Sequence, residues 1–207
     1  EVTEAMKNLG QAGLTAQQTL ETIKPVTQFA TATGANLKQV SDLVTSVVES
    51  FDIPYEETTK VVDILGSAVN RSKLDIEKLS TAFNYIGPVA HDAGVSLEET
   101  AAAMSIMSNS GIKASTLATS LRQIFDKILN PSKELKEALD MAGMSLDDIN
   151  PQMHSLAEVI GKLAIVVPDT ASALALFDQR GASAFLALAS AGKSGIEQMT
   201  KNMQQAG

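Results

Sequence analysis

The sequence lacks several features that would point to a particular chemistry. It contains no cysteine and no tryptophan, and aromatic residues make up only 4% of its 207 residues. The absence of cysteine excludes disulfide bonds and thiolate metal sites, although it does not identify a compartment. No apolar run approaches the roughly 18 to 20 residues of a membrane-spanning helix. We therefore expect no membrane span, and no signal peptide is recognisable.

Basic clusters and strand-like patterns are also missing. The 16 lysine and arginine residues are scattered, and the net charge is −8. A nucleic-acid-binding surface needs clustered positive charge, so we expect none here. No segment alternates apolar and polar residues with a period of two, so no strand is predicted. The chain begins with Glu1 and ends in the polar stretch "KNMQQAG", which favours a segment of a longer protein.

Signals for the start of a helix recur along the chain. Ser96 with Glu99, and Ser155 with Glu158, fit a capping box, in which each residue pairs with the backbone N–H of the other. Ser145 is expected to accept first-turn N–H groups. Three glycines suit the left-handed residue that closes a preceding helix, namely Gly34, Gly94 and Gly143. The junctions are "TGANLKQV", "FDIPYEET", "SKLDIEKL", "DAGVSLEE" and "MAGMSLDD".

Between these junctions, apolar residues recur at steps of three and four, the period of a helix with one buried face. The early junctions lie about 18 to 21 residues apart, and short connections place consecutive helices antiparallel. The sequence therefore predicts an all-α stack of short antiparallel helical hairpins, with roughly nine to eleven helices. Gly87-Pro88 is expected to kink or break one helix, and Gly181 to separate two others.

The predicted organisation has three parts. Residues 1–35 form lead helices, residues 36–190 form the core helical domain, and residues 191–207 form a C-terminal helix that leads into a downstream region. Composition supports a helical core, because alanine and leucine have the highest helix propensities.

Three patterns resemble catalytic or ligand sites but fit structural roles better. His91 and Asp92 are adjacent, so on a helix they point about a hundred degrees apart and cannot form a dyad. The Gly-Lys-Ser at 192–194 lacks the upstream glycine and strand of a phosphate loop. The acidic pairs at 56–57, 98–99 and 147–148 fall in expected first helical turns, where the helix dipole favours negative charge. We therefore expect no catalytic, metal or cofactor site.

The central residues resemble the core region of tailed-phage tape measure proteins, the phage minor tail family. The resemblance rests on "IGPVAHDAGVSLEETAAAMSIMSNSGIKAS", "LRQI", "LNPSKELKEAL", "ATATGANLKQVSDLVTSVVESFDI", "AGMSL" and "DQRGASAFLAL". It covers most of residues 30 to 190. The residues expected to have structural roles are Gly87, Pro88, Gly94, Ser96, Glu99, Gly111 and Gly181.

This resemblance implies a structural component of a phage tail, located in the tail lumen of the virion and in the host cytoplasm during assembly. It implies that the protein sets tail length and nucleates the tail tube, and that its source can be a prophage. The implied partners are tail tube subunits, tail assembly chaperones and tail tip proteins, with self-association as a further expectation. Some members carry cell-wall-degrading domains elsewhere, but we expect no enzyme activity here. The alternative is a general α-helical interaction module without a tail role.

Overall fold

The computed structural model describes residues 2–11 and 13–206, and these residues form ten α-helices without a strand. The helices are α1 (Val2–Gln11), α2 (Ala16–Thr33), α3 (Leu37–Ser50), α4 (Thr58–Arg71), α5 (Ile76–Ala93), α6 (Leu97–Asn109), α7 (Ala114–Leu129), α8 (Lys133–Met141), α9 (Leu156–Val166) and α10 (Thr170–Gln204). Short 3₁₀ turns at Tyr55–Glu57 and Asp147–Ile149 complete the set. The predicted all-α stack with nine to eleven helices is confirmed.

The helices lie in two rows. One row runs α1, α3, α5, α7, and the other runs α2, α4, α6, α10. Each helix from α2 to α5 packs most extensively on a neighbour in its own row. This arrangement follows from the short turns, because consecutive helices reverse direction and alternate between the two rows. Most of the buried hydrophobic residues that the structure describes form one cluster, which extends from Ala5 to Met203. Residues of all three predicted segments therefore share a core, and the boundaries after 35 and 190 stay a prediction.

Helix α6 lies at the centre of the stack. Ten of its 13 residues are buried, including the run Ala101–Ala102–Ala103. Its largest interface is with α10, and it also contacts α4, α5 and α7. Small side chains allow neighbouring helices to approach from several sides. A helix that is apolar on every face belongs in an interior, and α6 occupies that position.

The glycine-terminated helix ends are present as predicted. Gly94 has φ 82° and ends α5, and its backbone N–H donates to the carbonyl of His91. The next residue, Val95, donates to the carbonyl of Ala90. This pair of hydrogen bonds is the Schellman motif, which satisfies carbonyls that the helix itself leaves unpaired. The same pair of bonds ends the helices at Gly34, Gly111 and Gly143.

Pro88 does not break its helix. It lies inside α5, which continues to Ala93. Proline removes one N–H donor from the helix, so the carbonyl four residues earlier, that of Asn84, loses its partner. Because Pro88 and Asn84 are both exposed, water can reach that carbonyl and the helix is not forced to end.

The expected separation of two helices at Gly181 is wrong, because the break lies three residues earlier. Asp178 has φ 57° and ψ −175°, while Gly181 lies in a helical stretch. A second break occurs at Gly192, with φ 70° and ψ 170°. The Asp178 carboxylate accepts hydrogen bonds from the backbone N–H groups of Arg180 and Gly181, at 3.0 and 3.3 Å. Asp178 therefore acts as an N-cap for the stretch that follows it.

Two further expectations about helix starts need correction. The Ser145 side chain accepts no first-turn N–H; its hydroxyl and the Ser145 backbone N–H instead donate to the Asp148 carboxylate, each at 2.9 Å. Asp147 lies in a 3₁₀ turn rather than in an α-helix. Glu56 and Glu57 likewise lie in a 3₁₀ turn, ahead of α4. Two of the three acidic pairs therefore lie in 3₁₀ turns rather than in the first turn of an α-helix, and Glu57 immediately precedes α4.

Candidate functional site

The segment between α5 and α6 binds a distant part of the chain, the turn before α9. Gly94 lies against Gln152, and a β-carbon on Gly94 would lie 2.7 Å from the Gln152 Cγ and 3.1 Å from its Cα. The Gln152 amide also donates to the carbonyl of Asp92, at 3.5 Å. Glycine is thus required at position 94 for two reasons: the positive φ and this close approach.

Glu99 joins the starts of two helices. Its Oε2 accepts from the N–H and hydroxyl of Ser96, at 3.2 and 3.0 Å, and the Ser96 hydroxyl accepts from the Glu99 N–H at 3.2 Å. The predicted Ser96–Glu99 capping box is therefore present at α6. Its Oε1 accepts from the N–H of Leu156, the first residue of α9, at 2.7 Å. One carboxylate thus satisfies unpaired N–H groups of α6 and α9.

The second predicted capping box is only half formed. The Ser155 hydroxyl accepts from the Glu158 N–H at 3.3 Å. The Glu158 carboxylate instead lies 3.2 Å from the Lys193 Nζ and 3.7 Å from the His154 Nδ1. The hydrogen bond and charge of Lys193 lower the pKa of Glu158 below its usual value. Through its bond to Lys193, the Glu158 carboxylate ties α9 to α10.

A chain of charged groups extends from this pair. Lys162 Nζ lies 3.0 Å from the Asp148 Oδ1 and 3.4 Å from the His154 Nε2. The Ser145 N–H, followed by Lys162, lowers the pKa of Asp148 to about 2. The network therefore connects the Asp147–Ile149 turn, α9 and α10. Exposed ion pairs contribute little to stability singly. The main effect of the network is therefore to fix the relative positions of these elements.

Gly87 lies at a close approach of α3 and α5. A β-carbon on Gly87 would lie 2.8 Å from the Ser50 Cβ, so any larger residue would push the helices apart. Nearby, the Ser46 hydroxyl donates to the Asn84 side-chain oxygen at 2.7 Å. His91 is exposed in the last turn of α5 and makes an edge-on contact with Phe51, with ring centroids 6.5 Å apart. His91 therefore lies at a helix end, packed on an aromatic ring.

The remaining predicted residues, Gly111 and Gly181, have different surroundings. Gly111 has φ 91° and no atom within 4 Å of an added β-carbon, so only its backbone conformation calls for glycine. Gly181 has a helical backbone, and a β-carbon there would lie 3.0 Å from the Phe177 Cβ and 3.4 Å from the Gln123 Cβ. Gly181 thus permits close packing of α10 against α7.

A groove of about 580 Å³ lies between α2, α4 and the end of α10. Pro25, Phe29 and Val62 contribute apolar surface to it, and Asp63 and Arg71 contribute charge. Burial raises the pKa of Asp63. A cation entering the groove would oppose that rise, because an opposite charge favours the ionised carboxylate.

The structure does not bring the predicted motifs together into a reactive constellation. Among residues 2–11 and 13–206, no group of three or more His, Asp or Glu residues has an arrangement that could hold a metal ion. No helix in the same residues is both long and apolar enough to cross a bilayer. The polar groups at the α5–α6 and α9 junctions are engaged with helix ends and with each other.

Sequence reasoning missed the long-range contacts of this region. Glu99 and Leu156 are separated by 57 positions, and Gly94 and Gln152 by a similar distance along the chain. The capping pattern predicts the local partner of Glu99 but leaves its second oxygen unassigned. The available signal was Glu99, with one carboxylate oxygen not needed for the capping box, close in sequence to Gly94. That signal does not identify Leu156 as the partner.

Known proteins give a consistent picture. The chain is 29% identical over 206 residues to the tape measure protein of Pneumococcus phage Dp-1, covering 97% of this chain and 18% of that protein. It is 27% identical over 130 residues to the probable tape measure protein of Escherichia phage P2, covering 62% of this chain and 16% of that protein. This chain therefore spans less than a fifth of the length of either relative. No solved structure is significantly similar to it.

The family comparison covers most of the chain. The family model described as "Phage-related minor tail protein" matches residues 1–173. The match includes the α5–α6 junction, Glu99 and the start of α9 to which Glu99 binds, and it extends to the first turn of α10. On this evidence, the chain belongs to the phage-related minor tail protein family.

Proposed function

We propose that this chain is a segment of a tape measure protein, a structural part of a phage tail that sets tail length and nucleates assembly of the tail tube. The observation that carries the proposal is the similarity to the Dp-1 tape measure protein along 97% of the chain. Because the chain spans only 18% of that protein, it acts as one module of a longer ruler.

The partners that follow from this role are tail tube subunits, tail assembly chaperones, tail tip proteins and further copies of the same chain. The module works in the tail lumen of the virion, after synthesis in the host cytoplasm, and its gene can lie in a prophage. We infer a structural rather than catalytic role. The engagement of Glu99, Asp148 and Glu158 in helix caps and ion pairs supports that inference.

The folded module contributes little length to the ruler. A compact chain of 207 residues has a radius of gyration of about 17 Å. The same residues in one continuous helix would extend about 310 Å, at 1.5 Å per residue. The single core from Ala5 to Met203 favours the compact form, since opening would expose that core to water.

Deleting the module from the full-length gene would test the role and the compact form together. The tails of virions that assemble are then measured by electron microscopy, beside tails from a gene with a tandem duplication of the module. A compact ruler segment predicts tails shortened by about 40 Å, roughly the diameter of such a globule. Shortening by about 310 Å would show that the helices extend inside the tube.

The alternative of a general interaction module predicts a different result. Tail length would then remain unchanged in the deletion and in the duplication, since the module would have no part in the ruler. Failure to form any tails, with the remaining protein present at normal levels, would support the nucleation role. Normal tails of unchanged length would refute the ruler role.

A further inference from the structure

The two breaks in α10 share an unusual backbone conformation. Asp178 has φ 57° and ψ −175°, and Gly192 has φ 70° and ψ 170°. This region is accessible almost only to glycine, so Asp178 is held in a strained conformation. Strain of this kind persists only where the surroundings enforce it, and it concentrates in segments that change conformation.

Apart from its three glycines, the stretch around the breaks consists largely of helix-forming residues. It reads "ALALFDQRGASAFLALASAGKSG", and alanine and leucine are the strongest helix formers. Neither break contains proline. If Asp178 and Gly192 took helical angles, the 35 residues of α10 would form one straight helix of about 52 Å.

The enforcing contact is an aromatic stack across the first break. The rings of Phe177 and Phe185 lie 4.8 Å apart with an interplanar angle of 21°, and both side chains are fully buried. In a straight helix two residues eight positions apart are separated by about 12 Å along the axis. The stacked arrangement therefore depends on the bend. Gly181 also supports the bent arrangement, because the absence of a side chain there lets the bent helix pack on Gln123 of α7.

We propose that α10 is a two-state segment with hinges at Asp178 and Gly192, bent while docked in the core and a single straight helix when released. The Phe177–Phe185 stack holds the bent state, and strain at Asp178 favours the straight state. Straightening would move the end of α10 away from α4, where Ser67 donates to the Asn202 carbonyl at 3.1 Å. This proposal does not depend on the role in the tail.

The absence of native cysteine allows a direct distance measurement. Spin labels are attached at Ala175→Cys and Gln198→Cys, two exposed positions on either side of both hinges. Pulsed electron paramagnetic resonance then measures their separation in the whole chain. A straight helix places these residues about 34 Å apart, and the bent form places them closer together.

Two matched variants separate strain from the loss of the Asp178 carboxylate. Combining Asp178→Ala with Gly192→Ala makes both hinges unfavourable in the bent form, so the ratio of straight to bent molecules should rise on the order of tenfold. Asp178→Gly removes the same carboxylate but relieves the strain, so the short distance should persist. A double alanine variant with only the short distance, or an equal shift in the glycine variant, would overturn the proposal.

A second measurement covers the case in which the double alanine variant does not fold. Asp178→Ala and Asp178→Gly are then compared singly by thermal unfolding. A strained hinge requires the glycine variant to melt at a higher temperature than the alanine variant. The opposite order would also overturn the proposal, because alanine is the better residue in a helix that is already straight there.

Discussion

Removing the Glu99 carboxylate gives the most direct test of how the α5–α6 junction holds the fold together. In Glu99→Ala, the Ser96 hydroxyl still caps α6, but the N–H groups of Ser96 and Leu156 lose their acceptor. The Ser96 N–H is exposed and can bind water, whereas the Leu156 N–H is part-buried. Leaving a buried donor unpaired costs about 1–3 kcal/mol, and bonds to charged groups are at the upper end.

We therefore expect Glu99→Ala to lower the free energy of unfolding by about 2–3 kcal/mol. For a chain of this size the thermal midpoint should fall by about 4–12 °C. Urea unfolding followed by circular dichroism at 222 nm would measure the change. An unchanged dependence of the unfolding free energy on urea concentration would show that the unfolded state is unaffected.

Glu158→Ala provides the matched control. Glu158 occupies the same position after a capping serine, but its carboxylate binds exposed Lys193 rather than a backbone N–H. Removing the Glu158 carboxylate should lower the free energy of unfolding by much less than Glu99→Ala does. Equal losses in the two variants would refute the reasoning, since they would show that the bond to Leu156 adds nothing beyond an ordinary first-turn carboxylate.

Three further expectations follow from the structure. Gly94→Ala should destabilise the fold by about 2–4 kcal/mol and Gly111→Ala by only about 1–2 kcal/mol in urea titrations, because both strain the backbone but only the first meets another side chain. The pKa of Asp148 is lowered to about 2 in the folded state, so its stabilising effect is present above an unfolded pKa of about 3.9 and is lost as pH falls towards 2. Wild type should thus lose stability more steeply than Asp148→Asn between pH 4 and pH 2, and parallel urea-midpoint curves would contradict this. Burial, with a smaller effect of the neighbouring glutamate, raises the pKa of Tyr55 to about 12. In Tyr85→Phe, which leaves Tyr55 as the single tyrosine, absorbance at 295 nm should titrate with a midpoint near pH 12, and a midpoint near 10 would contradict the burial.

Local signals in the sequence predicted the helices well. The Ser96–Glu99 box and the Schellman glycines are decided by residues within one helical turn, and those predictions were confirmed. Physical reasons are plain, since an unpaired N–H or carbonyl at a helix end is satisfied by its sequence neighbours. The all-α class followed from the same signals together with the helical spacing of apolar residues.

The sequence could not reveal what depends on tertiary packing. Glycine has high conformational freedom, which made Gly181 the expected break, yet Gly181 packs closely on Gln123 within a helical stretch and the bend lies at Asp178. No local signal marks the loop around Pro151 as a contact site, although Gln152 within it packs on Gly94. Partners some 60 residues apart leave no periodic trace in a single sequence.

The central position of α6 has a consequence for synthesis. Its largest interface is with α10, which ends at Gln204, 95 residues after the last residue of α6 at Asn109. At about 5–20 residues per second, the ribosome needs roughly 5–20 s to produce that covering helix. During this interval the face of α6 that α10 covers is open on the nascent chain. The order of the helices therefore leaves the central helix without its main packing partner until α10 has been synthesised.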